Sequence, residues 1–488
     1  MKSNTPSLPV AGKRFGLLHR LASACAVAAV LASWTAAPLH GQPDKTTGWK
    51  AGVASVKITP AGPIWLAGYA TRSQPSDGVD LDLFAKALFL DDGAGGRVVM
   101  VTTDLIGIPL ALRQYVEREC GELFGLKPHE ILLNASHTHS GPEVRPERMA
   151  LEAAFSRNAK KADVDAVNKY QAWLVEAVVN LIGKSLKGPQ PVHLDISHGR
   201  AGFAMNRRRP EKNGQYSNNP FPDGPVDQEV PVLKVTGADG KMKAVVFGYA
   251  CHNTTLSAFR VSGDYAGYAQ QYLETSYPGA TAMFMMGCAG DQNPYPRRNM
   301  VPDQPVDELV KQHGRALANA VATALGSVPR PVKGPLRTAL DNAMLGYEPM
   351  AKAELEKFNT AAHTAPVRER AQNLMRSAER GEKLPPLACP VQVLQFGRDL
   401  ILVAIGGEVV VDYSLRIKSE LKGPAYVWVA GYSNNVFGYL ASRRVIAEGG
   451  YEGGGANTRI LVHPGRFTLD AEEMVMAKVH DLRRRVNP

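Results

Sequence analysis

An apolar, strand-like run that stops abruptly at a polar cluster occurs four times in this chain, and this recurrence constrains the fold more than any other feature. Glu130–Ala135 runs into Ser136-His137-Thr138-His139, and Lys243–Cys251 runs into His252. Ala280–Met286 runs into Gly287-Cys288-Ala289-Gly290-Asp291, and Leu400–Ile405 into Gly406-Gly407-Glu408. Other runs rich in Val, Ile, Ala and Leu, bounded by Gly, Pro or Asp, read as strands at Ala51–Ile58, Ala85–Leu90, Val98–Thr103, Val192–Ser197, Glu229–Val235, Val391–Gln395 and Ala425–Gly431. Helical patterns fall between them, at Ala111–Phe124, Val164–Leu186, Ala266–Ser276, Val409–Leu421 and Ala471–Arg485. Strands interleaved with helices imply an α/β (mixed α+β) fold, a single large domain with central β-sheets flanked by helices.

The first 41 residues read as a leader outside that domain. Lys13, Arg14 and Arg20 precede the apolar run Leu21–Trp34, and small residues follow at Thr35, Ala36 and Ala37. That order is a secretory signal peptide, and the run falls short of the ~20 residues of a spanning helix. The expected location is therefore the periplasm or the medium. The domain is then expected to cover 42–488, with a helical insertion at 346–384, where Ala, Glu, Lys and Arg replace large apolar residues. The net charge of +10 falls to about +6 once the four leader cations go. Such mild basicity, without dense Lys/Arg blocks, argues against nucleic acid and is compatible with peripheral contact at an anionic membrane surface. Cys120, Cys251, Cys288 and Cys389 form no Cys-x-x-Cys pair, and buried free thiols are expected at Cys251 and Cys288.

Four positions carry the chemistry legible from residue type. His137 and His139 stand two apart where a strand runs out, so alternation would send both imidazoles to one face. His-x-His is a common zinc pair, and a hydrogen-bonded pair of histidines at a strand end is the alternative. His252 sits where an apolar strand turns polar, which suits a cleft or a satisfied buried histidine. Glu408 follows two glycines that allow close backbone approach and opens the next helix, where an acid also suits the helix dipole.

The segments Gly52–Pro60, Gly68-Tyr69-Ala70, Thr102-Thr103-Asp104-Leu105 and above all Asn134-Ala135-Ser136-His137-Thr138-His139-Ser140-Gly141-Pro142 resemble the opening of the neutral, non-lysosomal ceramidases. Gly287–Pro294, Gly406-Gly407-Glu408 and Tyr451-Glu452-Gly453 continue the likeness in the same order. The resemblance implies a zinc-dependent amide hydrolase that cleaves the N-acyl bond of ceramide or a related N-acyl lipid. By similarity, His137, His252, Glu408 and Tyr439 hold Zn²⁺, while His139, Arg207 and Tyr451 act on the substrate. Three departures stand against the family pattern. Asn293 occupies the family's serine position, Arg443-Arg444-Val445 follows the tyrosine ligand, and the expected domain set is the catalytic domain without the immunoglobulin-like one of the longer ceramidases. Asn293 is expected to shape the site and not to act as a nucleophile. The altered segment after Tyr439 suggests a shallower or more polar entrance. The alternatives are the same zinc site acting on another amide or ester, or a non-catalytic zinc-binding protein.

Overall fold

The computed structural model describes residues 48–298, 300 and 304–487; the leader reading lies outside them. The larger sheet runs, edge to edge, through Thr281–Met286, Met242–Tyr249, Glu229–Gly237, Gln190–Arg200, Lys50–Lys57, Phe84–Asp91, Arg97–Thr103 and Ile131–Ala135, with Arg330–Pro331 pairing on Gln190–Arg200. A four-stranded sheet follows in the order Leu336–Leu345, Leu387–Phe396, Leu400–Ile405, Tyr426–Ala430. Most neighbours are antiparallel. Within these two sheets three pairs are parallel: Arg97–Thr103 with Ile131–Ala135, Met242–Tyr249 with Thr281–Met286, and Leu400–Ile405 with Tyr426–Ala430.

Alternation along each strand sorts the side chains into two faces, and both faces are apolar. On one face of the large sheet Ala87, Val101 and Leu133 pack with the helices Leu110–Phe124 and Lys161–Ser185. Further along the same sheet Phe247 and Phe284 pack with Asp264–Ser276 and Val306–Leu325. The opposite face, including Leu88, Met100, Leu233 and Val246, meets Phe396, Leu402 and Trp428 of the smaller sheet. The far side of that sheet, with Val393, Val403 and Val429, is closed by Val411–Glu420 and Ala471–Arg485. The result is four layers, helices–sheet–sheet–helices, as the mixed α/β pattern implies.

The strand and helix expectations hold, with boundaries shifted by a few residues. The helix Val306–Leu325 and the strand Leu336–Leu345 lie where no element was read. Within 346–384 the chain forms the helices Lys352–Phe358 and Ala365–Glu379, whose Leu355, Val367 and Ala371 bury against Leu151, Ile460 and Leu461. All four described cysteines are buried and free. Among the described residues no helix is long and apolar enough to cross a membrane.

Parallel pairs place successive carboxyl ends on one side of a sheet, and crevices form beyond those ends. All three parallel pairs deliver chemistry there. Ile131–Ala135 leads to His137, Met242–Tyr249 to His252, Thr281–Met286 to Asp291, and Leu400–Ile405 to Glu408. Asn134 ties the two edges of the large sheet beside this crevice. Its Oδ1 accepts from Met286 N at 2.8 Å, and its Nδ2 donates to Gly431 O at 2.8 Å.

Candidate metal centre

His137 lies beyond the strand, with φ of 60°. That left-handed conformation is unusual for a residue with a side chain. The convergence of His137 and His139 therefore comes from a turn, not from strand alternation. The turn is held by His137 N donating to Leu105 O at 2.9 Å and His139 N to Asn253 O at 3.2 Å. Glu408 likewise does not open a helix. It pairs with Tyr439 in a short parallel bridge, Glu408–Val409 against Tyr439–Leu440, and the helix starts at Val411. Gly407, at φ of 86°, makes the bend into that bridge, and a Cβ there would sit 2.7 Å from the Phe437 ring.

Hydrogen bonding fixes the imidazoles. His137 Nδ1 donates to Ile106 O at 2.6 Å, and His252 Nδ1 donates to Ala289 O at 2.7 Å. A carbonyl only accepts, so each Nδ1 carries a proton and each Nε2 is the nitrogen turned to the site. Both Nε2 atoms face Glu408, whose Oε2 lies 3.3 Å from His137 Nε2 and 3.6 Å from His252 Nε2. Tyr439 OH lies 3.5 Å from His252 Nε2. His139 Nε2 approaches His137 Nε2 at 3.2 Å, and one ring nitrogen from each of the three histidines falls within 4.8 Å of the others. His139 Nδ1 is buried with no hydrogen-bond partner.

Burial governs the charge states. It drives His139 well below its ordinary pKa, helped by His137 and His252, and lowers His252 to about 3 with Arg207 adding to the effect. Burial acts to raise the Glu408 carboxyl, yet the adjacent His137 and His252 hold it well below the usual range. Burial lifts the Tyr439 hydroxyl well above its usual value, against the pull of Arg207. Imidazole nitrogens turned inward, one carboxylate and a phenol oxygen make a nitrogen and oxygen donor set of the kind zinc takes. Backbone carbonyls orienting those imidazoles are the usual outer support of such a site. The donor set fits the metal that the sequence implies.

The other sequence-named residues surround this point. Arg207 is buried; its Nη2 donates to Tyr439 OH at 2.8 Å, its Nη1 to Asn293 Oδ1 at 3.2 Å and its Nε to Glu452 Oε1 at 2.7 Å. Tyr451 sets its ring edge-on to Tyr439, with centroids 5.4 Å apart, and remains half exposed. Asn293 also accepts from Thr254 Oγ1 at 3.3 Å. Three residues were not singled out in the sequence. Glu452 bridges Arg207 and Arg208, with Oε2 accepting from Arg208 at 2.8 Å. Asp291 is buried and accepts from Val411 N at 2.9 Å and Asn206 Nδ2 at 3.0 Å, fastening the Gly290–Asn293 segment beneath the site. Tyr432 packs its ring 4.6 Å from His137. Glu452 and Asp291 stand inside segments quoted for the resemblance, whereas Tyr432 had no local signal. Arg444 is engaged by Asp412 and Glu448.

Comparisons with known proteins agree with the geometry. A family model described as neutral/alkaline non-lysosomal ceramidase, N-terminal, matches residues 49–337. Neutral ceramidase A of Dictyostelium discoideum is 29% identical over 251 residues, covering 48% of this chain and 34% of that protein. Neutral ceramidase of Pseudomonas aeruginosa is 24% identical over 477 residues, covering 83% of this chain and 68% of that protein. The match thus spans about a third of the Dictyostelium protein. The crystal structure of the Pseudomonas aeruginosa neutral ceramidase superposes with a TM-score of 0.68 at 19% identity, covering 91% of this chain and 75% of that one, which establishes the fold. With more than half of its length matched by the family model, the chain belongs to the neutral/alkaline non-lysosomal ceramidase family.

Proposed function

We propose that this protein is an exported, zinc-dependent amide hydrolase that cleaves the N-acyl bond of ceramide or a related N-acyl lipid. The observation that carries this reading is the meeting of two inward-facing Nε2 atoms with Glu408 Oε2 and Tyr439 OH at 3.3–3.6 Å. His137, His252, Glu408 and Tyr439 would hold the metal, with His139 beside them. Zinc there would supply Lewis acidity toward the scissile carbonyl and the attacking water.

The chain's own groups do the rest. Arg207, fixed by Glu452, holds a positive charge against Tyr439 OH, where negative charge on the reacting carbonyl can be stabilised. His139 turns its Nε2 to the centre, 3.2 Å from His137 Nε2, so it stands where a proton passing to the leaving amine can be relayed. Tyr451, half exposed at the rim, can donate a hydrogen bond to the substrate. Asn293 orients Arg207 through its Oδ1, and a carboxamide is no nucleophile, so a water attack is the route consistent with these side chains.

Incubation with ceramide and short-chain N-acyl amides, followed by mass spectrometry, tests the reading. Fatty acid and free amine should appear with metal-loaded protein and vanish in His137→Ala. Bound metal without turnover of any amide would reject it. Export rests on the Lys13–Ala37 leader pattern. Recovery of the full-length chain from the cytoplasm alone would reject that part.

A further inference from the structure

A cavity of about 270 Å³ opens beside the metal centre, lined in part by Tyr69, Arg72, Arg145, Arg148, Tyr451 and Arg459. Tyr69 packs on His139, with ring centroids 4.7 Å apart, and Tyr451 packs on Tyr439, so the cavity adjoins the reacting point. Its wall holds four arginines against two carboxylates, Glu143 and Glu152. Both carboxylates are taken. Glu143 accepts two bonds from Arg145 at 2.8 and 2.9 Å, and Glu152 accepts from Arg459 at 3.0 Å.

Two guanidinium groups are left over. Arg148, about a quarter exposed, keeps only a loose ion pair with Glu152 at 3.8 Å, a carboxylate that Arg459 already holds, and its guanidinium makes no hydrogen bond among the described residues. Arg72 donates to the carbonyls of Ala258 at 2.7 Å and His139 at 2.8 Å, and its buried Nε has no partner. Arg72 is buried with no carboxylate beside it, which is costly, and Arg148 shares its one carboxylate with Arg459, so the wall carries an excess of positive charge. A lipid chain would worsen the imbalance by burying methylenes against guanidinium groups, and the cavity lies just below the ~300 Å³ at which drug-sized ligand pockets begin. A compact anion corrects it, and the planar fork of Arg148 matches a carboxylate in two bonds.

We propose that the substrate bears a free carboxylate on the smaller side of the scissile amide, as in an N-acyl amino acid, and that Arg148 recognises it with Arg72. This rests on the amide-hydrolase reading above and narrows its substrate class. Arg148 is a specificity residue, separate from the groups that hold the metal or move protons.

The test compares N-dodecanoylglycine with the neutral N-dodecanoylethanolamine of matched length. The wild type should favour the glycine conjugate in kcat/KM by about 10- to 100-fold, the range of a charged hydrogen-bonded contact. Arg148→Gln should remove that preference by raising KM for the glycine conjugate alone, and Arg148→Lys should restore part of it. Equal rates on both amides, or an equal loss on both in Arg148→Gln, overturns the proposal while leaving the amide-hydrolase reading intact. Preference for N-dodecanoyl phosphoethanolamine over the glycine conjugate also overturns it. If no amide is cleaved, the hydrolase reading fails and calorimetry decides the recognition. N-dodecanoylglycine binding that weakens about tenfold in Arg148→Gln supports the site, and absent or unchanged binding overturns it.

Discussion

Gly290→Ala is the sharpest single perturbation of the metal centre, because it pushes on backbone and not on side chains. A Cβ at Gly290 would lie 2.7 Å from Glu408 O and 2.9 Å from both C and O of Val409. Ordinary contact begins at 3.4 Å, so the Glu408–Val409 strand must retreat by about 0.7 Å, or its bond from Gly290 N to Val409 O must break. Metal sites tolerate ligand displacements of about 0.2 Å, so the Glu408 carboxylate would leave its place. We expect zinc affinity, measured by chelator competition, to fall about 10- to 100-fold, the range seen when support of a ligand is lost. Overpacking should cost about 1–3 kcal/mol in unfolding free energy. Gly202→Ala, where a Cβ meets nothing within 4 Å, serves as the control. Unchanged zinc affinity in a folded Gly290→Ala protein would refute the placement of Glu408 against the metal.

Three further outcomes follow from the same geometry. Asn293→Ala should lower kcat by about tenfold or less, since Arg207 keeps Glu452 and Tyr439, whereas His137→Ala should abolish both metal binding and activity in assays run side by side. Glu452→Gln leaves Arg207 and Arg208 buried without their shared carboxylate, and should cost about 3–5 kcal/mol in denaturant unfolding together with most of kcat. His463 donates from Nε2 to Phe437 O and accepts at Nδ1 from Tyr347 OH, and burial lowers its pKa from 6.5 to about 4. The folded state therefore resists its protonation while the unfolded state does not. Its stabilising contribution is complete above pH 6.5 and is lost as pH falls toward 4, up to about 3 kcal/mol. His463→Gln should flatten the melting-temperature profile across that window, and an unaltered profile would show that other groups set the acid limit.

How much of this was readable in the sequence depended on the range of the cause. Strands buried on both faces announce themselves as continuous apolar runs, so Val98–Thr103 and Ala280–Met286 were plain. Leu336–Leu345 was not, because Arg337, Asp341 and Asn342 interrupt its apolar residues, and only pairing with Leu387–Phe396 makes it a strand. The Ala-rich helix Val306–Leu325 shows its buried stripe only against the helix Asp264–Ser276. At the site, His137, His252 and Glu408 were visible as strand-end residues. The left-handed turn at His137 and the Glu408–Tyr439 bridge were invisible, since both depend on segments far away in sequence. Arg148 carried no motif at all; its meaning comes from the carboxylates around it being already occupied.

The site has a temporal consequence as well. Its groups come from both sheets, and Tyr439 touches His252 from 187 residues further along the chain. A ribosome that has released residues 49–337 has delivered every histidine of the centre, but neither Glu408 nor Tyr439. Closing loops of this length is slow and entropically costly. Glu408 and Tyr439 join the histidines only where the smaller sheet packs on the larger one. Any metal captured earlier would be held by imidazoles alone, and docking of the second sheet is the step that turns a loose histidine cluster into a finished centre.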